Sequence, residues 1–199
     1  MRNIAILASG SGTNAENIIK YFSTKNNARV NLVLSNKRHA MVLKRAEAQK
    51  IRAVFFEHNE FYTTGKVLRY LALYKIDFIV LAGFLWLVPE NIVKNYAGRI
   101  VNIHPALLPG YGGKGMYGDH VHKAVIDNKD KESGITIHYV NDRYDEGDII
   151  LQSRCTVDPD ETPESLANKI HQLEYAHYPK VIEKLVEKLP DLTYGSEQT

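Results

Sequence analysis

Chemistry in this chain would begin at Asn102 and His104. They stand two apart at the end of the apolar run Arg99-Ile100-Val101, and strand side chains two apart share a face. Pro105 and Pro109 then stop regular structure. An amide and an imidazole are thus delivered to one side of a strand's carboxyl end, where open α/β sheets hold their ligands. An imidazole can carry a proton, and an amide N–H can steady a developing negative oxygen. The pattern also fits a buried histidine bonded to backbone, with Asn102 opening a turn.

Three further stretches have the right composition. Ser9-Gly10-Ser11-Gly12-Thr13-Asn14-Ala15 lies between an apolar strand and a helical pattern. Its glycines let backbone approach an anion, and the helix N-terminus adds unpaired N–H groups and a positive dipole. The string matches a loose Gly-x-Gly-x-x-Ala dinucleotide fingerprint as well. That reading expects an acid at the end of the second strand, where the chain has Ser35-Asn36-Lys37-Arg38. A non-redox phosphate ligand fits better than an NADP-type cofactor held by Arg38. Leu81-Ala82-Gly83-Phe84-Leu85-Trp86-Leu87-Val88-Pro89 sets bulky apolar groups at the same sheet edge. It suits either core packing or a flat heteroaromatic ligand. Among the carboxylates Asp142, Asp145, Glu146 and Asp148, one folded over His104 would raise the imidazole's pKa. Which acid does so is not legible. His120 and His122 are two apart, wrong for one helical face, so no metal site is expected. His138 is expected to be a packed core residue.

Strands at residues 4–8, 30–34, 53–56, 78–82 and 100–103 alternate with helices at 15–22, 41–48, around 67–75 and 89–96. Residues 78–82 are apolar throughout, as a strand buried on both faces should be. This order predicts an α/β, Rossmann-like, doubly wound, mostly parallel sheet with helices on both faces. After residue 105 the pattern changes. A glycine-rich loop over 110–118 leads to a helix near 120–128, then to strands at 134–140 and 148–157, the antiparallel C-terminal part. A tight turn at Asp145-Glu146-Gly147 is expected between those strands. Thr162 and Pro163 open a final helix, kinked or restarted at Pro179 and ending near Leu189. A single domain over 1–189 and a polar tail over 190–199 are expected.

The 199 residues suffice for one good core. A net charge of +2 leaves no footprint for a nucleic-acid backbone. Cys155 is alone, so no internal disulfide forms. The N-terminal apolar run is too short for a signal peptide and no window spans a membrane, so a cytoplasmic setting is expected.

From residue 2 to 189 the chain resembles the phosphoribosylglycinamide formyltransferases, folate-dependent enzymes of purine synthesis. The motifs are Ser9-Gly10-Ser11-Gly12-Thr13-Asn14, Ser35-Asn36-Lys37, Leu81-Ala82-Gly83-Phe84 and Asn102-Ile103-His104-Pro105-Ala106-Leu107-Leu108-Pro109, with Asp142-Arg143-Tyr144-Asp145-Glu146-Gly147 and Glu174-Tyr175-Ala176-His177-Tyr178-Pro179. The resemblance implies formyl transfer from 10-formyltetrahydrofolate, a co-substrate, to the primary amine of N1-(5-phospho-D-ribosyl)glycinamide. It implies that Asn102, His104 and Asp145 are catalytic, with Asp145 keeping His104 charged. Gly12, Thr13, Asn14 and Glu174 would hold the ribonucleotide. Leu85, Trp86, Leu87, Val88, Asn102, Val140, Asn141 and Asp142 would hold the folate. No metal is implied, and the partners are small molecules, with a monomer or weak homodimer expected.

Two departures stand out. Glu57-His58-Asn59-Glu60-Phe61-Tyr62 carries no arginine where relatives can place a folate contact. The loop over 110–118 is longer and richer in glycine than in some relatives, so Tyr111, Lys114 and Tyr117 are candidates for extra contacts. A formyltetrahydrofolate hydrolase would carry a further N-terminal regulatory domain, and a methionyl-tRNA formyltransferase a further C-terminal one. The remaining alternative is a non-catalytic phosphate-ligand or folate-binding module.

Overall fold

Two-sided apolar strands and one-sided apolar helices alternate along the chain, and each helix must cover a sheet face. The computed structural model describes residues 1–190. Of the polar tail expected from residue 190, all but Pro190 lies outside the described residues. The elements are β1 (Arg2–Leu7), α1 (Thr13–Phe22), β2 (Ala28–Ser35), α2 (Met41–Ala48), β3 (Arg52–Phe55), α3 (His58–Tyr62) and α4 (Lys66–Leu73). β4 (Phe78–Leu81), α5 (Glu90–Asn95), β5 (Ile100–His104), α6 (Asp119–Asp127), β6 (Glu132–Tyr139), β7 (Ile149–Thr156) and α7 (Pro163–Glu187) follow. The sheet runs β3-β2-β1-β4-β5-β6-β7, parallel through β5 and antiparallel for β6 and β7.

Strand alternation divides the core. Ile4 and Ile6 of β1 pack with Ile18 and Phe22 of α1, Val125 of α6 and Ile170 and Ile182 of α7. Ala5 and Leu7 face the other way, onto Phe61 of α3, Val67 and Leu71 of α4 and Ile92 of α5. The expected doubly wound class holds. No helix among the described residues is long and apolar enough to cross a membrane.

Three local expectations need correction. Residues 140–148 form a broad connection between β6 and β7 rather than a tight turn at Asp145-Glu146-Gly147. It is closed by the Tyr139 N–H donating to the Asp148 carbonyl at 2.9 Å. α3 was not expected; Glu57 and Glu60 cap it reciprocally, which is what lets so short a helix form. α7 does not restart at Pro179 but runs through it as one helix to Glu187. Pro179 cannot bond the Tyr175 carbonyl one turn back, and the Asn17 side chain of α1 does so instead, at 3.2 Å.

α7 also fastens the sheet under the site. Tyr178 is fully buried, and its hydroxyl meets the carbonyls of Leu81 at 2.8 Å and Val101 at 3.2 Å. The Leu81 carbonyl is at the end of β4 and the Val101 carbonyl near the start of the neighbouring β5. Tyr178→Phe removes the shared donor and is expected to cost about 1–3 kcal/mol in urea unfolding. An unchanged midpoint would mean the two carbonyls do not depend on it.

Candidate active site

Strand order reverses between the parallel neighbours β1 and β4: β2 and β3 are added on one side of β1, β4 and β5 on the other. Ligands of open α/β sheets bind at such a switch point. The loops leaving the two strands are tied together: Ser9 N–H donates to the Gly83 carbonyl at 2.9 Å, and Leu85 N–H to Ser9 Oγ at 3.0 Å. Between them opens a cleft of about 600 Å³.

At one end stands the glycine turn. Gly12 caps α1 with φ 77°, and a Cβ there would lie 2.5 Å from the Val42 side chain of α2. Only glycine fits. Val42 N–H donates to the Gly10 carbonyl at 3.2 Å and Arg45 Nε to the Ser11 carbonyl at 2.9 Å, so α2 braces the turn. Gly12, Thr13 and Asn14 line the cleft. Asn14 Nδ2 donates to Glu174 Oε2 at 2.8 Å, while Asn14 Oδ1 is buried with no partner. Glu174 is no exposed helix acid: it is 6% exposed, and burial pushes its carboxyl up to about 7 against the bond from Asn14.

At the middle, β5 presents Asn102 and His104, as expected from their spacing. Asn102 Nδ2 lies 3.2 Å from His138 Nε2 and 3.3 Å from Asp145 Oδ1. His138 stands opposite Asn102 in the β5–β6 ladder, so it belongs to this cluster rather than to the apolar core. The β6–β7 register shifts next to it, between Ile137 and His138. His104 Nε2 lies 2.7 Å from the Tyr111 carbonyl, which fixes that nitrogen as the N–H donor and leaves a lone pair on Nδ1. Nδ1 is 3.5 Å from Asp145 Oδ2, and that oxygen accepts the Gly113 N–H at 2.9 Å. The stretch after His104 is held by Thr136, which donates to the Ala106 carbonyl at 2.7 Å and accepts the Leu108 N–H at 3.0 Å.

Among the acids of the 142–148 stretch, Asp145 is the one at His104. Its φ is 56°, a left-handed conformation that aspartate tolerates. A Cβ on Gly147 would sit 1.7 Å from the Tyr139 carbonyl, so glycine is needed to bring the loop this close. Burial works to raise the Asp145 carboxyl, yet His138, His104 and the Gly113 N–H together hold it below the usual value. His104 runs opposite to expectation. Burial outweighs Asp145 and the Tyr111 carbonyl, and the imidazole's pKa falls below its ordinary value. Burial thus favours the neutral imidazole of His104, while its neighbours favour the ionised carboxylate of Asp145.

The other end is apolar. Leu85, Trp86, Leu87, Val88 and Val140 line it with Phe84. Trp86 is fixed edge-on by Phe56 at 6.0 Å and His58 at 5.2 Å between centroids. The Leu87 peptide is gripped on both sides, its N–H donating to the Tyr144 hydroxyl at 3.1 Å and its carbonyl accepting from Tyr62 at 2.8 Å. Asn141 and Asp142 are not in the lining; Asn141 turns back to accept the Arg143 N–H at 2.9 Å. Arg143 and Tyr144 line the cleft in their place. Lys114 and Tyr117 line it too, whereas the Tyr111 ring points away to bond Asp130 and contributes only its carbonyl. His122 and His171, not expected here, also line the cleft. A histidine facing a ligand leaves no periodic mark that separates it from a packed one.

Comparison with known proteins finds one family. A family described as formyl transferase matches residues 2–182. The chain is 35% identical over 191 residues to the phosphoribosylglycinamide formyltransferase of Bacillus subtilis (strain 168), covering 94% of this chain and 95% of that protein. It is 37% identical over 193 residues to the chloroplastic phosphoribosylglycinamide formyltransferase of Arabidopsis thaliana, covering 94% of this chain and 66% of that protein. The crystal structure of phosphoribosylglycinamide formyltransferase from Bacillus halodurans is similar with a TM-score of 0.85 at 35% identity, covering 98% of this chain and 100% of that one.

Proposed function

The chain belongs to the formyl transferase family, and from that membership we propose that it formylates the primary amine of phosphoribosylglycinamide, with 10-formyltetrahydrofolate as donor. The observation that carries this reading is one cleft with a glycine turn at one end, an apolar aromatic wall at the other, and Asn102, His104 and Asp145 between them. The turn and Glu174 would hold the ribonucleotide. The wall of Leu85, Trp86, Leu87, Val88 and Val140 would hold the flat pterin, with Asn102 at its inner edge.

The amine must attack with its lone pair free. Attack on the formyl carbon gives a tetrahedral adduct with a negative oxygen and a cationic nitrogen. Asn102 Nδ2 would donate to that oxygen, giving up its long 3.3 Å bond to Asp145 Oδ1 to do so. His104, uncharged at rest, takes the proton from the adduct nitrogen at Nδ1, directly or through one water. The imidazolium so formed lies beside Asp145, whose carboxylate is already ionised. The proton then passes to the departing folate nitrogen, the carbon–nitrogen bond breaks, and His104 returns to its neutral form. Asp145 thus acts when charge appears on His104, not by keeping it charged beforehand. Both substrates are small molecules, and the same reading has the protein acting in the cytoplasm as a monomer or weak homodimer, without a metal.

The test is formyl release from 10-formyl-dideazafolate, followed by absorbance, with and without the ribonucleotide. Turnover only with ribonucleotide is expected. Release at the same rate without it would make water the acceptor and overturn the transferase reading. Because His104 must be uncharged to begin, the acid limb that it sets in kcat with both substrates saturating should lie below the ordinary imidazole value of 6.5.

A further inference from the structure

The phosphate end of the cleft is short of fixed positive charge. Lys114 and Arg143 are the lysine and arginine in the lining, and both sit on loops. Arg143 is bonded to Glu146 at 3.1 Å. Lys114 follows Gly113, whose N–H is bound to Asp145, so its backbone is anchored at the catalytic carboxylate. The same lining also holds His122 and His171, with Glu174 bonded to Asn14 of the glycine turn at 2.8 Å. A phosphomonoester carries close to two negative charges at neutral pH.

His122 is the unusual member. It is 3% exposed, and Nδ1 is closed off from solvent with no hydrogen-bond partner. Leaving such a group unmet is costly unless a ligand completes it. Asn14 Oδ1, on the glycine-turn side, is in the same condition. The groups acting on the His122 charge come from every side: His171 on α7, His104 on β5 and Asp119 on α6 itself. Burial, then His171, push its pKa down, so the free imidazole is neutral at pH 7. Glu174 stands one helical turn beyond His171 and faces Asn14.

Resting on the assignment of Gly12, Thr13 and Asn14 to the phosphate, we propose that the phosphomonoester is bound with uptake of a proton from solvent, His122, assisted by His171, supplying the positive charge opposite the glycine turn. A charged imidazole beside a phosphate makes the stronger, charge-assisted hydrogen bond that the neutral ring cannot. Recognition of the phosphate is then strongest where a proton is available, and weakens as pH rises.

The test is calorimetric titration at about pH 7.5, above the ordinary imidazole value, in two buffers of different ionisation enthalpy. The probes are glycinamide ribonucleotide and ribose 5-phosphate. Proton uptake is expected with both. His122→Gln should abolish most of it and raise Kd about tenfold, with the KM for the folate unaffected. His171→Gln should have a smaller effect in the same direction. Glu174 could also gain a proton beside a phosphate, so Glu174→Gln is the control: uptake that persists there but is lost in folded His122→Gln assigns the proton to His122. No uptake in the wild type, uptake lost in Glu174→Gln but kept in His122→Gln, or binding abolished by Lys114→Ala alone would overturn the proposal, as would failure of both probes to bind. Uptake with ribose 5-phosphate in a protein that transfers no formyl group would uphold it while sinking the transferase reading.

Discussion

Asp145→Asn is expected to fold, to bind both substrates and to lose about 10²–10⁴-fold in kcat. Asparagine keeps the shape of the side chain and an oxygen for the Gly113 N–H, which aspartate now meets at 2.9 Å. What it removes is the negative charge 3.5 Å from His104 Nδ1. That charge is of little use to a neutral imidazole. It matters when His104 has taken the amine's proton, because a buried imidazolium without a counter-charge is expensive. The loss should therefore fall on kcat rather than on either KM. The pH profile carries a second signature. Asp145 works to raise the His104 pKa against burial. Removing it should move the acid limb of the residual activity to lower pH, not higher. Steady-state turnover across pH, with circular dichroism to establish folding, reads both. Turnover within about threefold of wild type, or a limb displaced upward, would show that Asp145 does not stabilise a charged His104.

Much of this was legible because the sheet imposes its own grammar. A strand buried on both faces must be apolar throughout, as Phe78–Leu81 is, and a ligand turn must have glycine where Gly12 meets Val42. Asn102 and His104 were found because a strand's period puts them on one face. His138 was not, because its role depends on the cross-strand register that sets it opposite Asn102. Nothing local to β6 records that register. His122 shows the limit of spacing arguments. His120 and His122 stand two apart on α6, off one helical face, yet spacing alone does not reveal that His122 lines a cleft built by other elements. Glu174 is of the same kind: an acid on a polar stretch of α7 is ordinary until Asn14, far away in the chain, closes over it. The direction of the His104 pKa is not legible in the sequence for a different reason. Sequence supplied the neighbouring carboxylate but not the depth of burial, and burial wins.

Glu174→Gln is expected to make the protein more stable and a poorer enzyme. Burial holds the Glu174 carboxyl at about 7, against 4.5 for the free group. An unfolded chain releases that proton as pH rises past 4.5, and the folded one keeps it until about 7. Folding is therefore least hindered by this group below pH 4.5. Stability declines as pH rises between the two values, and above 7 the full cost is present, on the order of 3 kcal/mol. Glutamine keeps an acceptor for Asn14 Nδ2 and carries no charge. Urea unfolding at about pH 8 should show the variant more stable by a sizeable part of that amount, and the difference should shrink towards pH 5. Function should move the other way. If the carboxylate meets a donor of the ribonucleotide, the weaker amide contact should raise the ribonucleotide's KM about tenfold or more and leave the folate's KM in place. A chain that retains so costly a buried acid does so because the ligand needs it. A variant no more stable at pH 8, or one more stable but with unaltered KM, would break the link between the burial of Glu174 and the binding of substrate.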